Sequence, residues 1–105
     1  MGRPSAYTAG PWHLRQVERR GVVIGLQVVA GEDERPVEVA EVRWPTPNLA
    51  ANARLIATAP DLVEALRELV DRIDRDAARP EVRAALARAE EVLRRATGGA
   101  ESRPE

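Results

Sequence analysis

Val22-Val-Ile-Gly-Leu-Gln-Val-Val-Ala30 reads as the strongest strand of this chain. On a two-residue repeat, Val22, Ile24, Leu26, Val28 and Ala30 share one side of the pleat. Val23, Gly25, Gln27 and Val29 share the other. Both sides are largely apolar, which marks a central strand covered on both faces. Upstream, Arg19-Arg20-Gly21 marks a turn. Residues 12–18 before it alternate weakly, with Trp12 and Leu14 on one face and His13, Arg15 and Val17 on the other. Downstream, Gly31-Glu-Asp-Glu-Arg35 is a charged loop that closes a second hairpin onto a strand over residues 36–44. The apolar positions of that strand shift phase from Val37 and Val39 to Ala40, Val42 and Trp44. A one-residue shift of this kind predicts a bulge near Val39 and Ala40. The three segments form a three-stranded antiparallel meander.

The period then changes. Thr46-Pro47 carries the signature of an N-cap followed by proline at the first helical position. Residues 48–58 read as a short Ala-rich helix with Leu49, Ala53 and Ile56 along one stripe. Pro60 ends or restarts it. Asp61 and Glu64 have capping-box spacing. Leu62, Leu66, Leu69, Val70 and Ile73 then line a second helix to about Asp76. Arg79-Pro80-Glu81 restarts the chain again. Val82, Leu86, Ala89, Leu93 and Ala96 mark a third helix, alternating small and large residues as an antiparallel helix partner needs. Gly98-Gly99 stops it. The expected architecture is α+β: the meander packed on one face by a C-terminal helical hairpin with a short preceding helix. The expected organisation is one domain over residues 1–97, with residues 1–10 as a loose arm and residues 98–105 as a disordered tail.

The bulk numbers narrow the function classes. A chain of 105 residues is one domain by length. Domains this small are marginally stable, so oligomerisation helps. Sixteen basic residues oppose 17 acidic ones, for a net charge of −1. That balance argues against broad nucleic-acid binding, which needs a basic face. All the basic residues are arginine. The guanidinium suits bidentate recognition of phosphate or carboxylate, although a GC-rich coding sequence produces the same bias. With no cysteine, disulfides, thiol catalysis and cysteine-based zinc sites are excluded. No apolar leader opens the sequence and no apolar run is long enough to span a membrane. The expectation is a cytoplasmic protein with no membrane association.

Candidate chemistry is sparse. His13 is the one histidine. It has no cysteine to activate, and Ser5 and Ser102 lie near the ends, so neither a nucleophilic triad nor a zinc site is expected. Glu32-Asp33-Glu34 has oxygen ligands for a hard cation but lacks EF-hand spacing. Glu38 and Glu41 fall on opposite faces of a regular strand, a poor arrangement for paired acid–base work. Gly21-Val-Val-Ile-Gly25 lacks the spacing and lysine of a phosphate loop. No catalytic residue, metal or cofactor is expected. Arg43-Trp44 sits at the junction of sheet and helix. An arginine beside an indole can stack on and pair with a nucleotide; the competing role, which aromatics in small cores favour, is that Trp44 and Trp12 cover the end of the core. Asn52 and Arg54 are the polar members of the first helix. Asn52 suits either a ligand or a backbone hydrogen bond that holds the sheet-to-helix connection.

Two segments carry a family likeness. Thr8-Ala9-Gly10-Pro11-Trp12-His13 resembles the Thr-Pro-Gly-Pro-Trp opening of many small phage and prophage proteins, with Ala9 in place of the usual proline. Asn52-Ala-Arg-Leu-Ile-Ala-Thr-Ala-Pro-Asp-Leu-Val-Glu-Ala-Leu66 resembles a helical segment of the same proteins, with Thr58 and Val63 as variants. Together they span about a fifth of the chain. The resemblance implies a phage-borne accessory protein and supplies no active site. It leads to three expectations. The first is a non-enzymatic, oligomeric binding protein acting in counter-defence. It would capture a nucleotide signal at Arg43, Trp44, Asn52 and Arg54, or mask a host protein. The second is an adaptor that binds a protein through its helical hairpin. The third and weakest is a small carboxylate hydrolase. Apolar residues on the sheet face away from the helices (Val23 and Val29, with Val17 and Val42) point to a homodimer or higher oligomer.

Overall fold

The computed structural model describes residues 7–31 and 36–98. Residues 1–6 of the expected arm (1–10), the acidic loop residues 32–35, and residues 99–105 of the expected tail (98–105) lie outside these. The elements run β1 (Trp12–Arg19), β2 (Val22–Ala30), β3 (Val37–Arg43), α1 (Leu49–Arg72) and α2 (Pro80–Ala96). The three strands form one antiparallel sheet in the order β1-β2-β3. Two helices follow, and the strands contact α1, so the fold is α+β. The chain divides into two compact units. One is Thr8–Asp61, with the sheet and the first half of α1; the other is built on the chain from Leu62 onward.

β2 is the central strand, as its two apolar faces predict. Val28, Val29 and Ala30 are all buried, although Val28 and Val29 point to opposite sides. The β1–β2 turn has two central residues with positive φ, Arg20 at 55° and Gly21 at 79°. This is the backbone of a two-residue type I′ hairpin, whose twist matches the flanking strands. The predicted bulge in β3 is present. Val28 pairs with Ala40 and Val29 with Glu38, so Val39 is the extra residue. A second bulge lies in β2, where Val17 pairs with Gly25 and Glu18 with Val23, leaving Ile24 extra. Gly25 is buried at the closest approach of β2 and β3. A Cβ there would stand 2.6 Å from the Val42 carbonyl oxygen and 3.2 Å from Arg43 Cα.

The helical region departs from expectation at three points. First, Thr46 and Pro47 do not begin a helix. The chain turns through a Thr46 N–H to Arg43 carbonyl bond, and Asn48 adopts φ 56°. Asparagine tolerates that conformation, and the Asn48 carbonyl accepts the first helical bond from Asn52 N–H at 2.9 Å. Second, Pro60 neither ends nor restarts a helix: α1 is continuous through it for 24 residues. Proline removes one backbone donor, but its φ is helical and its ring is buried, within contact range of Gly10. Asp61 and Glu64 are therefore mid-helix residues and cap nothing. Third, α1 stops at Arg72 rather than near Asp76. The Asp74 carboxylate accepts the Asp76 N–H at 3.0 Å, an Asx turn that competes with helical bonding. The start of α2 at Pro80 and its stop at Gly98, φ 67°, match the sequence.

Candidate functional site

The bulge at Val39 decides which side chains the sheet presents. Directly paired residues share a face. Glu41 pairs with Gln27 and Glu38 with Val29, and Gln27 and Val29 are two residues apart on one strand. Glu38 and Glu41 therefore lie on the same face, which corrects the expectation for a regular strand. Arg43 joins them opposite Gly25; from β1, Arg15 pairs with Gln27 and His13 with Val29. The same bulge moves Val42 opposite Leu26, onto the other face. Of the valines expected to form an apolar outer patch, Val29 is buried, Val17 and Val42 are half-buried, and Val23 alone is well exposed.

The polar face is internally neutralised. Arg15 donates from Nε and Nη2 to Gln27 Oε1 at 3.1 and 2.9 Å. Gln27 Nε2 donates in turn to Glu38 Oε1 at 2.7 Å. This chain of hydrogen bonds crosses all three strands. Arg43 Nε donates to Glu41 Oε2 at 2.6 Å. That hydrogen bond, then the Glu41 charge, raise the Arg43 guanidinium above the ordinary arginine value, and the charge of Glu38 adds to the effect. A raised folded-state value gives a contribution that is complete at lower pH and lost only in strong alkali. His13 is exposed and stands two strands from Glu38, about 10 Å away, with Val29 between. Among the described residues there is no cluster of three or more histidine, aspartate or glutamate side chains that could hold a metal ion. The Glu32-Asp33-Glu34 cluster lies outside them.

Two of the four residues expected to hold a ligand, Arg43 and Asn52, have side-chain partners within the protein. Arg43 is held by Glu41. Trp44 follows β3, and its N–H bonds to the Ile24 carbonyl at 2.9 Å, but its side chain is 74% exposed. It does not cover the core as aromatic burial suggests, because the chain turns away immediately afterwards. Trp12 is half-buried and donates from Nε1 to the Thr8 carbonyl at 3.1 Å. Asn52 Nδ2 donates to the Pro47 carbonyl at 3.2 Å, so it ties the sheet-to-helix connection as its structural reading predicts. Arg54 is exposed and lies about 200° around the helix from Asn52. The two flank buried Ala53 on opposite sides of the helix.

Trp44 shares its end of the sheet with other exposed groups. Its backbone bond to Ile24 places it at the end that carries Val22, 60% exposed, and Val23, 47% exposed. The adjoining turn carries Arg19 and Arg20. Sequence reading assigned these residues to strand and turn. The signal was the short spacing of Arg19-Arg20 from Val22-Val23, which places guanidinium and apolar groups at one hairpin tip.

The unit beyond Leu62 has a separate feature. A groove of about 390 Å³ runs between the second half of α1 and α2. Leu66, Leu69, Val70 and Ile73 line one side; Glu81, Val82, Ala85, Leu86 and Ala89 line the other.

Comparison with known families decides the lineage. The family described as Salmonella phage P22 protein Y8K6 matches residues 1–100. The chain belongs to that family. The match to this Y8K6-type family supports the expected small phage protein. No curated protein and no solved structure matches it. Among the described residues of this Y8K6-family protein, no helix is long and apolar enough to cross a membrane.

Proposed function

We propose that this phage protein is a non-enzymatic binding protein that engages a host protein through the Trp44 end of its sheet, as a counter-defence factor. The exposed indole of Trp44 supports this reading most strongly. A tryptophan left in water at a sheet end that also carries exposed Val22 and Val23, one on each face, and a turn with two arginines has the composition of an interface hot spot. The non-enzymatic reading is supported by the polar face, where Glu38 and Glu41 are already paired and His13 stands apart. Capture of a nucleotide signal is the second reading. It draws on base stacking against Trp44 with Arg19 or Arg20 near the phosphates. The divergence of Asn52 and Arg54 weighs against it, since small ligands need convergent polar groups.

The test compares the full chain with Trp44→Ala, which removes an exposed side chain and leaves melting unchanged. A host protein recovered with the wild type is purified and titrated against both. The proposal expects Trp44→Ala to cost about 2 kcal/mol or more, roughly 30-fold in Kd. In parallel, cyclic nucleotides and ADP-ribose derivatives are added to thermal melts. A melting shift lost in Trp44→Ala replaces the proposal with signal capture. Equal binding of a host protein by both chains overturns the role of Trp44.

A further inference from the structure

We infer that a second copy of this chain closes the apolar groove between α1 and α2, pairing the two helical hairpins into a four-helix bundle. This goes beyond the proposed function and rests on a different surface.

The groove cannot be satisfied by its own walls. Its rim residues remain in water, Leu69 at 59% and Val82 at 39% exposure. Leu86 is the only apolar residue of α2 that is buried. Two helices bury one stripe each only when further helices complete the core.

Shape and charge indicate that the missing helices are the chain's own. A twofold contact must be self-complementary: what one copy presents, the other must accept. α1 presents a protruding leucine, Leu69. α2 offers Ala85 and Ala89, one turn apart and small enough to receive it. Under a twofold axis, Leu69 of each copy seats against Ala85 and Ala89 of the other, and both contacts form at once. Charge follows the same rule. From Leu62 to its end, α1 carries Glu64, Glu68 and Asp71 against Arg67 and Arg72. α2 carries Arg83, Arg88, Arg94 and Arg95 against Glu81, Glu90 and Glu91. The first segment is net acidic and the second net basic. Pairing α1 of one copy with α2 of the other sets unlike fields against each other, whereas pairing like helices sets like against like.

The test uses the intact chain. Light scattering after size exclusion should give twice the 11.5 kDa chain mass for the wild type. Leu69→Asp should give the single-chain mass with an unchanged circular dichroism spectrum, and Leu55→Asp, on the other unit, should leave the doubled mass intact. A second arm covers the case in which Leu69→Asp fails to fold. The chain has no cysteine, so Leu69→Cys and Ala85→Cys chains can be mixed and oxidised. A disulfide-linked pair of unlike chains should form, and Leu55→Cys mixed with Ala85→Cys should give none. A monomeric wild type at high concentration overturns the inference and leaves the groove to a different partner. A doubled mass that survives in folded Leu69→Asp overturns it too, because the contact then lies elsewhere.

Discussion

The two units of this chain solve the problem of burial differently. The sheet unit, Thr8–Asp61, holds Val28, Val29, Ala30, Ala53 and Ala57 in the dry interior. In the unit beyond Leu62, Leu86 is the one apolar side chain buried among the described residues, and a groove stands open beside it. The sheet reaches closure through non-local pairing, two bulges and a buried glycine. The helices are locally well formed but leave much of their apolar stripe in water. Helical propensity alone makes a helix; it does not make a core. The contrast also separates the roles. The sheet unit positions Trp44, and the helical unit offers an apolar surface suited to assembly.

Substitutions can break or sharpen this contrast. Gly25→Ala should have the largest effect, a loss of about 3 kcal/mol in urea unfolding, because its Cβ meets backbone that cannot rotate away. Leu86→Ala should cost about 2 kcal/mol, near the low end for a core leucine because one side of its site is open. Its cost should also grow with protein concentration, whereas that of Gly25→Ala should not; unfolding midpoints at two concentrations check this. Asn52→Ala should cost about 1 kcal/mol by freeing the Pro47 carbonyl. Smallest and opposite in sign, Arg20→Asn should stabilise the chain by about 0.5 kcal/mol. Asparagine before glycine suits the positive φ that Arg20 now adopts. A destabilising Arg20→Asn would show that the arginine side chain supports the turn in some other way.

Much of the sheet was legible in the sequence because period-two patterning reports faces directly. The apolar phase shift across Val39 and Ala40 even located the bulge. Its consequence, that Glu38 and Glu41 share a face, follows from the same shift but is lost when the strand is treated as regular. Pro60 misled because its local penalty is one hydrogen bond, whereas the burial of its ring is a tertiary effect no local rule contains. The exposure of Trp44 was illegible for the same reason: aromatic residues favour burial on average, and only the turn after Arg43 directs this one outward. Of the two roles open to Asn52 in the sequence, the structure shows the backbone bond, because the Pro47 carbonyl lies within reach of an amide at the helix start.

The central claim is that the sheet unit is complete within one chain and the helical unit is completed by a second. Amide hydrogen exchange of the intact protein at low and high concentration tests it most directly. Amides of Val28, Val29 and Ala30 should be strongly protected and insensitive to concentration, while those around Leu69 and Leu86 should gain protection as concentration rises. Protection around Leu86 that equals that of the sheet at every concentration would contradict the account.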